Sequence, residues 1–139
     1  MSGFAPAHHV LTFGAAGARG QTAAITALLE RHGAYIEEFT VFDDVLSGRF
    51  YLRTAFRLDD PAAAVLGTLH SEYEALRAHY ADAEGAIHDQ QRPMRVLLMV
   101  SKADHCLRGL LDQWRRGELR MDIVGIASNH PDLAPLAAA

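Results

Sequence analysis

A single cysteine, Cys106, stands among the 139 residues, which excludes an internal disulfide framework and suits a reducing compartment. No apolar run approaches the roughly 20 residues that a membrane-spanning helix requires. Met1 to Pro6 also lacks the charged-then-apolar order of a secretory signal, so a soluble, cytoplasmic protein is expected, with no membrane partner. A basic stripe is missing too. The formal net charge is −4 and the Arg and Lys residues are scattered among Asp and Glu, which makes nucleic acid a poor partner and small molecules or other protein chains better ones. Neither a G-x-G-x-x-G run nor a Walker phosphate loop occurs, which disfavours a dinucleotide or triphosphate site. The eight histidines are dispersed, with no pair at the short helical spacing of a zinc site, so no metal is expected and the histidines are assigned to the surface. No internal repeat is present, and only the alanine-rich end is of low complexity. What the chain has in quantity is apolar mass. Half of its residues are hydrophobic, enough to bury the core of one ordinary domain, or of a small domain plus a further piece.

The pattern of that mass separates two regions. Val10 to Phe13 reads as a short strand, and Gly14 to Gly20 as a flexible turn into a helix over Gln21 to His32, with Ile25, Leu28, Leu29 and His32 on its inner face. Gly33 ends that helix, and the chain runs extended from Tyr35 to Phe42. Asp43 to Gly48 turns it back. On the return strand Phe50, Leu52, Thr54, Phe56 and Leu58 alternate with Arg49, Tyr51, Arg53, Ala55 and Arg57, the period of a sheet with one buried and one wet face. Arg49 and Arg53 then have solvated or cross-strand ion-pair roles. A second helix opens at Asp59-Asp60-Pro61 and carries Val65, Leu69, Tyr73, Leu76 and Tyr80, and Ala83 to Asp89 is a weak fourth strand. Strand, helix, strand, strand, helix, strand is the order of the ferredoxin-like plan, an α+β fold in which two helices cover one face of an antiparallel sheet. Polar Gln90-Gln91-Arg92-Pro93 marks the boundary.

Beyond it, Met94 to Val100 is a nearly unbroken apolar run, suited to a strand covered on both faces of a parallel sheet. Asp104 is placed to cap a helix whose Leu107, Leu110, Leu111 and Trp114 form a core stripe, and Gly117 sits at its C-terminal end. Met121 to Ala127 supplies a second buried strand. One βαβ unit leaves two strands with open edges, so this region is expected to be the start of a larger α/β domain. The open edges of both regions predict self-association.

Arg95-Val96-Leu97-Leu98-Met99-Val100-Ser101-Lys102-Ala103-Asp104-His105-Cys106-Leu107, Trp114 to Leu119 and Asp122 to Leu133 resemble the start of the catalytic domain of formyltetrahydrofolate deformylases. Phe42-Asp43-Asp44 and Leu46 to Arg53 resemble the hairpin of that family's amino-terminal ACT domain. The resemblance runs from about Val10 to Leu136. It implies an ACT-like regulatory domain over residues 8–90 and the incomplete start of an α/β, Rossmann-like formyltransferase domain over 94–139. It further implies hydrolysis of 10-formyltetrahydrofolate to formate and tetrahydrofolate, in one-carbon and purine metabolism, with no prosthetic group and with folate as the substrate of the complete enzyme. The family's catalytic Asn, His and Asp fall outside this chain. No catalytic residue is therefore assigned here, Asn129 and His130 are not those residues, and the chain alone is expected to be inactive. An alternative is a noncatalytic ACT-type module for small-molecule binding or oligomerisation.

Two groups of residues follow from the resemblance. In the ACT half, Gly14, Gly17 and Gly20 are candidate effector-binding positions, with methionine or glycine as the implied effector. Where ACT domains carry a Pro-Asp pair this chain reads Ala16-Gly17, so that binding is expected to be weak or lost. In the second half, Ser101, Lys102, Asp104, His105 and Cys106 follow a strand and open a helix, where amides and the helix dipole can hold an anion. Ser128, Asn129 and His130 follow the next strand. Read from the residues alone, Asp104 is a helix cap, while Cys106 fits either a thiol activated by the helix start or a small packing residue.

Overall fold

The structure is a computed structural model that describes residues 7–59 and 62–138, and it divides into two compact units, Met1–Gln91 and Arg92–Ala139. The first contains β1 (Ala7–Ala16), α1 (Gln21–Arg31), β2 (Ala34–Asp44), β3 (Arg49–Leu58), α2 (Ala62–Ala78) and β4 (Ile87–Asp89). Its sheet has the order β2-β3-β1-β4, antiparallel throughout. This is the ferredoxin-like α+β plan. Strand β1 runs three residues past the span read from the sequence, so Gly14 lies inside it, paired with Tyr51, and the turn proper is reduced to residues 17–20. The start of the second helix at Asp60-Pro61 lies outside the described residues.

The alternation along β3 decides which face is buried. Leu52, Phe56 and Leu58 join Leu11, Phe13, Ile25, Leu28, Leu29, Leu69 and Tyr73 in one core between sheet and helices. Each fully covered large side chain there contributes about 1.5–3 kcal/mol. Tyr80 lies beyond the end of α2 but still packs edge-on against Phe13, 5.5 Å between centroids. Glu72 on α2 holds α1 by accepting hydrogen bonds from Arg31 and the His32 ring, and the His32 bond is the main reason its carboxyl lies below the usual range. A register shift at Glu37 bulges β2, and the buried Thr54 hydroxyl donates to the Glu38 carbonyl at 2.8 Å beside it.

The opposite face carries Arg49 and Arg53 in the expected ion pairs, to Glu84 at 3.1 Å and Glu38 at 2.9 Å. Two residues depart from the wet-face and surface assignments. Ala55 is buried on that face, and His9, which lies on the core face of β1, is only 2% exposed.

The second unit contains β5 (Met94–Val100), α3 (His105–Arg115), β6 (Met121–Ser128), a 3-10 turn (Pro131–Leu133) and a short α4 (Ala134–Ala137). Strands β5 and β6 are parallel, and Leu98, Leu107, Leu111 and Leu133 form the core. Helix α3 ends as expected: the Gly117 amide donates to the Trp114 carbonyl and the Glu118 amide to the Gln113 carbonyl, the paired bonds of a Schellman cap. The rest of the core stripe divides. Leu107 and Leu111 are buried, whereas Leu110 and Trp114 are partly exposed, and the Trp114 indole donates to the Met121 carbonyl at 2.9 Å. Strand β5 is covered on one face only. Leu98 points to α3, while Leu97, Met99 and, on β6, Val124 stay exposed, because the described residues of this unit bring no second layer of their own to that side.

Candidate functional site

In the first unit the loop 17–20 and the hairpin turn 45–48 meet. Gly20 begins α1 with φ 85°, a conformation that glycine takes at no steric cost. The loop is then closed by Gln21, a buried amide whose Nε2 donates to the Ala16 carbonyl at 2.8 Å and whose Oε1 accepts from the Ala18 amide at 3.0 Å. The Gly17 amide donates to the Gly48 carbonyl at 2.9 Å, tying loop to turn. Asp44 fixes the turn itself by accepting from the Leu46 amide and the Ser47 hydroxyl. The hydroxyl bond is the main cause that lowers the Asp44 carboxyl below its ordinary pKa.

Between loop and turn lies an open hollow of about 650 Å³ bordered by Gly17, Arg19, Gln21, Asp43 and Phe50. Asp43 Oδ1 sits 3.7 Å from the point a Cβ on Gly17 would take, so a carboxylate from β2 stands beside the glycine. Arg19, on the rim, has no ion-pair partner among the described residues. An amino group and a carboxylate could both be met here. Of the three candidate glycines, Gly17 and Gly20 belong to this loop. Gly14 does not: it lies under the Tyr51 ring, whose Cδ1 would be 2.9 Å from an added Cβ, and it borders a separate hollow on the open sheet face. Sequence reading missed Gln21 and Asp43. A polar residue at the first buried position of α1 was the available signal for Gln21, and nothing local signals Asp43.

In the second unit, the pairing of Val100 with Ser128 brings Ser101–Cys106 and Ser128–His130 to the same carboxyl edge of the parallel pair, where α/β sheets place ligands. Ser101, Lys102, His105, Asn129 and His130 are exposed there. The Ser128 hydroxyl accepts from the His130 amide at 3.1 Å, which turns the chain after β6. Two expectations change. Asp104 occupies the N-cap position, but its carboxylate makes no capping bond. It pairs instead with Arg108 one turn along, and this bond lowers its pKa. Cys106 is exposed, so the packing reading of this thiol fails: the buried positions of α3 are Leu107 and Leu111, and residue 106 points away from them. No cluster of three or more metal-ligating side chains occurs among the described residues. No helix among the described residues is long and apolar enough to cross a membrane.

The geometry has counterparts among known proteins. A formyltetrahydrofolate deformylase of Corynebacterium sp. (strain P-1) is 39% identical over 124 residues, covering 89% of this chain and 43% of that protein. The crystal structure of the formyltetrahydrofolate deformylase of Burkholderia mallei superposes with a TM-score of 0.77 at 49% identity, over 94% of this chain and 45% of that one. The chain belongs to the formyltetrahydrofolate deformylase family. It spans less than half the length of these two deformylases. No protein-family model matches it. An ACT domain protein from Streptococcus pneumoniae, 16% identical, matches 61% of the chain and 91% of its own length with a TM-score of 0.51, a likeness of fold alone. The amino-terminal unit of this deformylase-family chain is thus ACT-like.

Proposed function

We propose that this chain is the amino-terminal portion of an enzyme that hydrolyses 10-formyltetrahydrofolate to formate and tetrahydrofolate. The observation that carries the reading is the joint agreement of sequence and fold with the Burkholderia mallei deformylase across 94% of the chain. The convergence of Ser101–Cys106 and Ser128–His130 at one sheet edge supports it, since that edge is where folate would be held in a completed α/β domain. The test is formate release from 10-formyltetrahydrofolate by the longest polypeptide read in frame through these residues, purified beside the 139-residue chain. Turnover is expected from the former and none above buffer from the latter. No turnover by the longer polypeptide, or clear turnover by the short one, would overturn the assignment.

The ACT-like unit is read as an effector module for an amino acid, methionine or glycine. The loop lacks a carboxylate of its own at Ala16-Gly17, but Asp43 brings one to the same place, with Arg19 free to meet the ligand's carboxylate. Charge-assisted hydrogen bonds contribute about 1.5–3 kcal/mol, so Asp43→Asn should weaken binding at least roughly tenfold. Calorimetric titration with methionine and with glycine checks this. Saturable heat that is unchanged by Asp43→Asn would remove Asp43 from the site, and no heat from the unaltered chain would restore the expectation of lost binding. Edge strand β2, with Phe39, Val41 and Phe42 exposed, suits association of copies, a part of the reading that a monomeric mass in solution would remove.

A further inference from the structure

His9 is a buried titratable group that neither the loop nor the folate edge uses. Its parity on β1 turns the ring into the core while His8 turns to the other face, where its Nδ1 meets Glu37 at 3.0 Å. The His9 ring is 2% exposed and rests on Phe56, 5.5 Å between centroids. Neither Nδ1 nor Nε2 has a hydrogen-bond partner among the described residues. A neutral imidazole tolerates this better than a charged one, because burying an unpaired charge costs far more than burying an unpaired polar atom.

The surroundings are of mixed sign. Asp89 on β4 favours the charged ring, His70 on α2 and His8 on β1 oppose it, and Phe56 on β3 is uncharged. Burial outweighs these and pulls the His9 pKa below 6.5. The position matters because of what it pairs with. His9 stands opposite Asp89 in the pairing of β1 with β4, a strand of three residues and the last before Arg92. The bonds on either side are the Gln90 amide to the His8 carbonyl, 3.0 Å, and the Thr12 amide to the Ala86 carbonyl, 2.9 Å.

We propose that His9 is an acid-sensitive latch on β4: when its ring takes up a proton it leaves the core, and the short β1–β4 pairing opens at the point where the ACT-like unit leads into the second unit. The sign follows from the folded ring being the weaker base. Stability is complete above pH 6.5 and is lost as pH falls below it, because the unfolded histidine takes its proton first. One proton sets the limit, at most a tenfold rise in the unfolding equilibrium constant per pH unit.

The experiment uses the full chain and H9F, which keeps a flat ring and cannot titrate. Urea unfolding is followed at pH 7.5, 6.5 and 5.5, with amide exchange of Thr12 and Gln90 compared with that of α1. The expected result is a rise of up to about tenfold per pH unit in the unfolding constant of the native chain below pH 6.5, less or none of it in H9F, and lower protection at Thr12 and Gln90, relative to the intrinsic exchange rate at each pH, in the native chain only. Equal pH dependence in the two proteins, or protection at Thr12 and Gln90 that does not change with pH once the intrinsic base-catalysed exchange rate at each pH is divided out, would overturn the latch. Should H9F not fold, the His9 ring is followed by NMR in the native chain. A ring still neutral at pH 6, where an unstructured histidine is mostly protonated, supports the latch, and a ring that titrates like an unstructured one sinks it.

Discussion

Gly85→Ala is expected to bring the amino-terminal unit to the edge of unfolding, with a loss of about 2–6 kcal/mol. Two costs add. Gly85 has φ 130°, a conformation almost closed to residues with a side chain, and forcing one there costs on the order of 1–3 kcal/mol. A Cβ would also fall 2.0 Å from the Thr12 carbonyl oxygen and 2.7 Å from the Tyr73 hydroxyl. Backbone cannot yield cheaply, and overpacking costs about 1–3 kcal/mol more. The crowded groups are themselves joined, since the Tyr73 hydroxyl donates to the Thr12 carbonyl at 2.6 Å and the Thr12 hydroxyl accepts from the Ala86 amide at 3.2 Å. Displacing Thr12 therefore breaks the bridge between α2 and β1 as well. Urea unfolding followed by far-ultraviolet circular dichroism measures the loss. Gly67→Ala is the control, an exposed helical glycine with nothing within 4 Å of the added carbon. There the same change should be neutral or should stabilise by about 0.5–1 kcal/mol. Equal midpoints for the two variants would refute the steric account.

Leu107→Ala should unfold the second unit and leave the first intact. Leu107 has no exposed surface and packs with Leu98, Leu111 and Leu133, so its truncation leaves a cavity at the centre of a core of four buried residues. Such changes cost about 2–5 kcal/mol, and a unit this small buries too little surface to absorb that. Trp114 reports on the event, because its indole is anchored to the Met121 carbonyl and it is the only tryptophan in the chain. Its emission should shift to the red and proteolysis should begin beyond Arg92, while the unfolding transition of the first unit stays where it was. A Trp114 spectrum unchanged by the substitution would show that the small core tolerates the cavity.

The parts of this protein that could be read along the chain are those whose cause is local. The alternation from Arg49 to Leu58 specified the buried face of β3, and the positions of Gly33 and Gly117 specified where α1 and α3 stop, because periodicity and helix capping act within a few residues. The motifs at Arg95–Leu107 and Asp122–Leu133 carried the deformylase resemblance for the same reason, since they are contiguous. Ala55 was expected to be wet because it follows the same alternation as the arginines beside it, yet between its cross-strand partners Val10 and Glu38 it is buried.

The amino-acid sequence by itself determined the ferredoxin-like order of elements, the apolar strands of the second unit and the family. Tertiary structure alone decided that His9 rather than His8 enters the core, because the parity of β1 is set by its register with Phe56 on β3 and Asp89 on β4. It decided that Asp43 supplies a carboxylate beside Gly17, a meeting made by the fold of β2 against the loop. It also decided that Gly85 must lack a side chain, since the carbonyl it would strike belongs to β1. Each of these rests on two segments far apart in the chain, and a one-dimensional pattern records which residues prefer burial without recording what they will be buried against.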